Sequence, residues 1–429
     1  NQKNQERDLV LEISGGEGMN DIEKQAFTLK DYEKVDEITD GQTFLYVVLP
    51  QFYSYKNENY EFVMILVDYK KLDLKTGDTV LFKRGMFVRG KLENISGVNY
   101  GAYGEGENPT FCGSHDLGDE SLWEEVEPNI WKCLKHLKTE VCNYVFNGGE
   151  MCGTLRWKKE YLQEQGDFWD SCFGLDEVNP ENKAAYENHI TLLYSKENPA
   201  NYYKSIECIT RYSRYLANMV SNTVISDINF INNGVHAIAG MYFPKNVIIK
   251  NCGFRYIGGC VWNKEHEIRY GNAIECWDIC ENVTIENCTF YEIYDSAVTH
   301  QGEAECESAK NFIIKNNIFE KCGMAAYEQR DVMPRYAEFC DNVCKDAGEG
   351  FSKLGEIMPR NSEIWPEPMG HHIFLWRIDK PTENGGILIE NNVFGNAPHG
   401  KAVYARISPE AKEQLIIKNN KEDGVFYGD

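Results

Sequence analysis

Short runs in which apolar and polar residues alternate recur through the second half of the chain. In Asn282-Val-Thr-Ile-Glu-Asn287-Cys-Thr-Phe290, Val283 and Ile285 are apolar, Thr284 and Glu286 are polar, and Phe290 follows Asn287 at a distance of three. A period of two marks a strand with one face in and one face out. Runs of about five residues are too short for helices. The same unit appears as Asn246-Val-Ile-Ile-Lys-Asn251-Cys-Gly-Phe254, Asn311-Phe-Ile-Ile-Lys-Asn316-Asn-Ile-Phe319, Gly386-Ile-Leu-Ile-Glu-Asn391-Asn-Val-Phe394 and Gln414-Leu-Ile-Ile-Lys-Asn419. A variant from Asn222 to Phe230 carries Asp227 in place of the inner Asn. The units starting at Asn222, Asn246, Asn282 and Asn311 are spaced by 24, 36 and 29 residues. A constant unit with variable insertions is the pattern of a solenoid whose loops leave on one side.

The inner Asn (251, 287, 316, 391, 419) closes each strand. Asn tolerates the left-handed backbone that such a bend needs, and stacked Asn side chains can hydrogen-bond from coil to coil. Phe254, Phe290 and Phe319 are expected to stack inside. Upstream, Gly77-Asp-Thr-Val-Leu-Phe-Lys-Arg-Gly85 leads through Arg89-Gly90 to Ser96-Gly-Val-Asn-Tyr-Gly-Ala-Tyr-Gly104. These segments resemble the first coils of β-helix proteins related to pectate lyases and glycoside hydrolases, over roughly residues 76–114 and 221–420. The resemblance implies an all-β protein, a right-handed parallel β-helix, with a carbohydrate partner; it is weaker on activity, because one fold carries many chemistries. Residues 1–21 are polar and Glu-rich, expected as a loose tail, and 22–429 as a single β-helix domain. Within it, residues 122–203 depart from the repeat and hold Trp123, Trp131, Trp157 and Trp169. They are expected as coils with long excursions, with a short helix near residues 158–165.

Composition narrows the function. Hydrophobic residues are 42% and charged residues 26% of the 429, ordinary for a globular chain. Lys+Arg number 44 against 67 Asp+Glu, a net charge of −23, which argues against nucleic acid or an anionic membrane as partner. No apolar run approaches the roughly 20 residues of a membrane span. Aromatics at 13% suit sugar stacking and a β-rich core alike. The 15 Cys are scattered, odd in number and without C-x₂-C pairs, so they read as small buried side chains rather than a disulfide framework. His371-His372 has no third ligand at metal spacing, and no metal site is expected there.

The strands that follow each Phe can be aligned by their small-residue starts: Ala237-Ile-Ala-Gly240, Ala273-Ile-Glu275-Cys-Trp277, Ala297-Val-Thr299-His300-Gln301 and Ala325-Ala-Tyr327-Glu328-Gln329. Strict alternation then puts Glu275, Thr299 and Tyr327 in one outward column and Trp277, Gln301 and Gln329 in the next, with His300 and Glu328 inward unless the strand bends. Nearby stand Lys264, Glu267, Arg269, Tyr294, Asp295, Arg330 and Asp331, and in later coils Glu349, Glu356, Glu363, His371 and His372. A solvated face alone does not need this concentration of polar and aromatic groups. Two carboxylates suffice for glycoside hydrolysis, one as acid and one as base or nucleophile. Glu275 and Asp295, from adjacent coils, are the first pair at about 5–10 Å, and Glu328 is the reserve. Arg269 and His300 are expected to hold a carboxylate or bind a hydroxyl, Trp277 and Tyr294 to offer platforms, and Tyr327, Arg330 and His372 to complete the substrate-binding set in one groove. His236, after Asn233-Gly234, is expected as a packed turn residue.

Two rival readings remain. Polysaccharide β-elimination would draw its base from Arg269, Arg330, Lys264 or His300 and neutralise a uronate with Arg or Ca²⁺. No compact Asp-rich calcium loop is present, so Ca²⁺ could be held only by scattered carboxylates, whereas hydrolysis requires no cofactor. The chain's acidity disfavours a polyanionic substrate and so favours the hydrolase. A non-catalytic glycan-binding β-helix is the third reading, set apart by turnover that does not depend on Glu275.

Overall fold

The computed structural model describes residues 73–175, 179–240, 243–277, 279–302, 309–351 and 369–422 in full, and the backbone of strands Leu45–Val48, Pro50–Ser54 and Phe62–Leu66. The proposed tail at residues 1–21 lies outside them, as do Glu356 and Glu363.

Each repeat unit contributes one strand to each of two parallel sheets, of ten and nine strands, and a seven-stranded parallel sheet closes the coil. This is a parallel β-helix. The first sheet collects the alternating runs: Thr223–Ser226, Lys245–Lys250, Glu281–Glu286, Lys310–Lys315, Tyr336–Cys340, Ile387–Glu390 and Leu415–Lys418 pair in sequence order. Val247, Val283 and Phe312 share one inward column. The bend that follows is left-handed at Asn251, Asn287, Asn316, Asn391 and Asn419, with φ of 54–59°. Asp227 and Asp341 take the same conformation. Each coil then lays its Phe into one interior stack, Phe230–Phe254–Phe290–Phe319, with ring centroids 5.8, 4.8 and 4.7 Å apart. Burying each ring contributes roughly 1.5–3 kcal/mol.

The coil-to-coil amide ladders are built by other Asn residues than those at these bends. On the outside, Asn246, Asn282 and Asn311 each donate Nδ2 to the Oδ1 of the preceding coil's Asn at 2.9–3.0 Å. Inside, Asn317, Asn342, Asn392 and Asn420 form a second, buried ladder. Earlier coils place Cys252 and Cys288 at that inner position, which explains part of the cysteine content. The fourteen cysteines among the described residues are free thiols, and all but Cys152 and Cys340 are buried.

Three long insertions leave the coil at one corner, between the Phe-bearing sheet and the seven-stranded sheet. The largest runs between strands Thr110–Cys112 and Tyr215–Asn218. It holds largely antiparallel sheets of five and four strands, not further coils, around its own core of Trp123, Tyr144, Phe146, Phe168 and Phe173. The helix expected near residues 158–165 is a single 3₁₀ turn, Lys159–Tyr161. The second insertion is the hairpin Cys260–Asn263/Ile268–Tyr270, and the third lies between Val343–Lys345 and His371–Ile378.

Candidate active site

The seven-stranded sheet carries most of the candidate residues. Its central strands are Ile274–Trp277, Ser296–Gln301, Ala325–Arg330 and His371–Ile378, all parallel. Their register sets one column as Glu275, Thr299, Glu328 and Phe374. Tyr327 pairs instead with Val298. The expected alignment was therefore one residue out at the third strand: Ala326, not Ala325, matches Ala297. Such a slip exchanges the faces.

Tyr327 consequently lies in the core, stacked on Phe339 at 5.9 Å. Glu328 takes the outward place. His300 also faces inward, its Nδ1 2.8 Å from Gln329 Nε2 and its ring near Phe312. His372 is buried on Phe394, with Nε2 2.8 Å from Gly395 O, and burial lowers its pKa to about 4. Tyr294 is buried behind the wall, where the Arg269 guanidinium covers its ring at 4.5 Å. Glu349 pairs with His399 away from this site. His300, Tyr327, Tyr294 and His372 thus do not reach the cavity as substrate-binding groups.

Beside the insertion corner lies a cavity of about 370 Å³. Glu275, Asp295 and Glu328 all line it, with Arg269, Trp277 and Arg330. Asp295 arrives from the tight corner before Ser296, between the coils that bring Glu275 and Glu328. The wall also contains Gln301, which strict alternation places in the outward column with Trp277, and His236, Trp262, Asn272, Trp376, Arg214 and Arg377, which the sequence did not assign to the site. His236 is thus more than a turn residue.

Glu275 is 2% exposed. Its two oxygens accept from Asn272 Nδ2 and Gln301 Nε2, and His236 Nδ1 lies 4.0 Å away. Burial pushes its pKa up to about 7, against the two amide donors; the negative charge of Glu328 adds to the rise and Arg330 opposes it. His236 accepts from Asn272 N at Nδ1, and burial with the nearby Arg214 charge lowers its pKa to about 3, so it is neutral. Glu328 is anchored differently. Its Oε1 accepts from Trp376 Nε1 at 2.7 Å and its Oε2 from Ser296 Oγ at 3.1 Å.

The cations are mostly immobilised. Arg269 donates Nε to Gly259 O and Nη2 to Cys142 O, both at 2.7 Å, which locks the hairpin to the insertion. Arg330 lies between the rings of Trp277 at 6.0 Å and Trp376 at 5.5 Å and binds Asp331. Trp262 is 64% exposed at the mouth. The surroundings keep one carboxyl protonated near neutrality, hold another at hydrogen-bond donors, and surround both with aromatic faces. Among the described residues, two groups of side chains converge at metal-ligand distance, and both contain a thiol and lie outside this cavity.

No protein-family model matches the chain, and no curated protein does. Solved structures similar to it include XylC with bound xylose, at 16% identity over 82% of this chain and 58% of that one, with a TM-score of 0.39. A GH136 lacto-N-biosidase from Eubacterium ramulus matches at 12% identity over 89% and 68%, with a TM-score of 0.38. A family 28 exopolygalacturonase from Yersinia enterocolitica matches at 12% identity over 83% and 71%, with a TM-score of 0.35. The chain spans less than two thirds of the length of XylC.

Proposed function

We propose that the protein is a glycoside hydrolase acting on the end of a neutral or weakly charged glycan. The observation that carries this reading is the trio Glu275, Asp295 and Glu328 around one aromatic-walled cavity, with Glu275 poised near pH 7. A general acid works best with a pKa near the operating pH. Glu275 donates its proton to the glycosidic oxygen. Glu328, held by Trp376 and Ser296, acts from the other side of the sugar as the base that activates water.

Two strand spacings separate the Glu275 and Glu328 backbones, roughly 10 Å. Asp295, from the intervening coil, orients the reacting sugar. A cavity near the lower end of the usual ligand range of about 300–1,000 Å³ suits one or two sugar rings rather than a long chain in an open groove.

Elimination is less well supported by this geometry. Arg269 has its guanidinium committed to two carbonyls, and His300 faces the core. The test is a panel of neutral and anionic oligosaccharides with product detection that separates reducing ends from unsaturated ends. Hydrolysis products that disappear in Glu275→Gln and Glu328→Gln support the reading. Unsaturated products, or full turnover in both variants, overturn it.

A further inference from the structure

Behind the cavity wall, three metal-ligating side chains meet in the seam between the large insertion and the hairpin. Glu140 and Cys142 flank the start of the insertion strand Val141–Phe146, and Cys260 opens the hairpin. All three are fully buried, and one ligand atom from each lies within 4.8 Å of the others. Val145, Ile209 and Val235 pack around the two sulfurs. A carboxyl group in such a place is expensive unless something compensates it. Packing alone would be served by Ala or Val. Glu140 does accept from Val261 N at 2.6 Å and Gly174 N at 3.2 Å, but a carboxylate has about four lone-pair sites, so these bonds orient it without exhausting it.

We propose that Glu140, Cys142 and Cys260 form a structural Zn²⁺ site that clamps the insertion to the pocket-forming hairpin. Two thiolates and one carboxylate select a borderline-soft ion over Ca²⁺ or Mg²⁺. Bonds of about 2.3 Å to sulfur and about 2.0–2.2 Å to oxygen would hold the ligand atoms roughly 3.5–3.8 Å apart, within reach of their present convergence. Binding exchanges protons for the ion: two thiols and one carboxyl release three H⁺, and the nearby Arg211 offsets the remaining negative charge. Tyr270 packs against the same cluster.

The second convergent group, Asp170, Cys172 and His189, is different. Its His189 Nε2 is already bonded to Asp170 at 2.6 Å, and Cys172 Sγ contacts Ala185 O. It is held by a short His–carboxylate bond, whereas the thiols of the proposed site make long contacts, Cys260 Sγ to Glu140 Oε2 at 3.9 Å and Cys142 Sγ to Glu140 O at 3.8 Å. The proposed ion, by contrast, would fix the hairpin that carries Trp262, Arg269 and Tyr270 to the cavity.

The experiment uses the full chain, purified without chelator, and needs no substrate. Elemental analysis should find one zinc per chain that survives dialysis. Cobalt exchange should give thiolate-to-cobalt charge-transfer absorption in the near ultraviolet. The double variant Cys142→Ser/Cys260→Ser should lose both metal and band, and Glu140→Gln should weaken zinc affinity by about tenfold or more. A second arm independent of the folding of the double variant adds zinc to metal-stripped wild type, where it should raise the melting temperature. A folded wild-type chain that neither retains nor takes up zinc overturns the proposal. So does recovery of Cys142 and Cys260 as a disulfide, or full zinc retention in the folded double variant.

Discussion

Replacing Glu275 with Gln preserves the shape and one acceptor of the buried side chain but removes its ionisation. In the folded protein that ionisation is displaced from an ordinary 4.5 to about 7, chiefly by burial. A folded-state pKa above the unfolded value means that the folded state binds the proton more tightly. The stabilising contribution is therefore complete below about pH 4.5 and is lost as pH rises through about 7. A displacement of this size corresponds to about 3 kcal/mol at about 1.36 kcal/mol per pH unit. Denaturant unfolding of wild type and Glu275→Gln at pH 4.5 and pH 8 should show the wild type losing about that much relative to the variant. His236, whose pKa is lowered to about 3, works in the opposite direction: its contribution is present above about pH 6.5 and lost as pH falls. Comparing wild type with the variant cancels it. The same proton should set the alkaline limb of wild-type kcat/KM near pH 7, while the variant should lose about 10²–10⁴ in kcat. A stability difference that does not change between the two pH values would refute the buried-acid assignment, whatever the kinetics show.

Trp376→Phe keeps a ring beside Arg330 but deletes the hydrogen bond to Glu328, so kcat should fall roughly tenfold or more, and the buried carboxylate left without that donor should lower stability by about 1.5–3 kcal/mol as well. Trp262→Ala, at an exposed mouth position, should raise KM for disaccharides more than for aryl monosaccharides and leave the fold intact; equal effects on both would remove it as a platform. Asn342→Ala strips the buried ladder of bonds to Asn317, Ile314 O and Asn392, and orphans Asn317 N, so unfolding experiments should show a loss of about 2–4 kcal/mol. Asn246→Gly, in the exposed ladder and at a left-handed position (φ 55°) that glycine tolerates, should cost less than about 1 kcal/mol.

The repeat units were legible because their strands are buried on one face only. Glu281–Glu286 and Lys310–Lys315 alternate cleanly between buried and accessible positions, and the chain writes that difference as Ile against Lys or Glu. The unit Tyr336-Ala-Glu-Phe-Cys-Asp341 departs from the pattern, since Asp replaces Asn at the bend and Cys344 takes the place of Phe. The pocket strands gave no such signal. All six residues of Ser296–Gln301 are buried, as are five of six in Ala325–Arg330, because the insertions cover the outer face. A strand buried on both sides has no polar phase to read, so the doublet Ala325-Ala326 could not fix its register. Tyr327 and Glu328 exchanged roles as a result. Trp376 lay beyond the alignment because its strand starts with His371-His372 rather than a small residue. His236 depends on Asn272, 36 residues away, a contact visible only once the coils stack. The chain did carry one unused pointer. The three long insertions all fall between a strand of the nine-stranded sheet and the strand after it. In a solenoid the successive copies of that corner stack above one another, so insertions there must crowd one side of the helix. A wall raised at one corner turns an open face into a cavity, which is where Glu275, Asp295 and Glu328 meet.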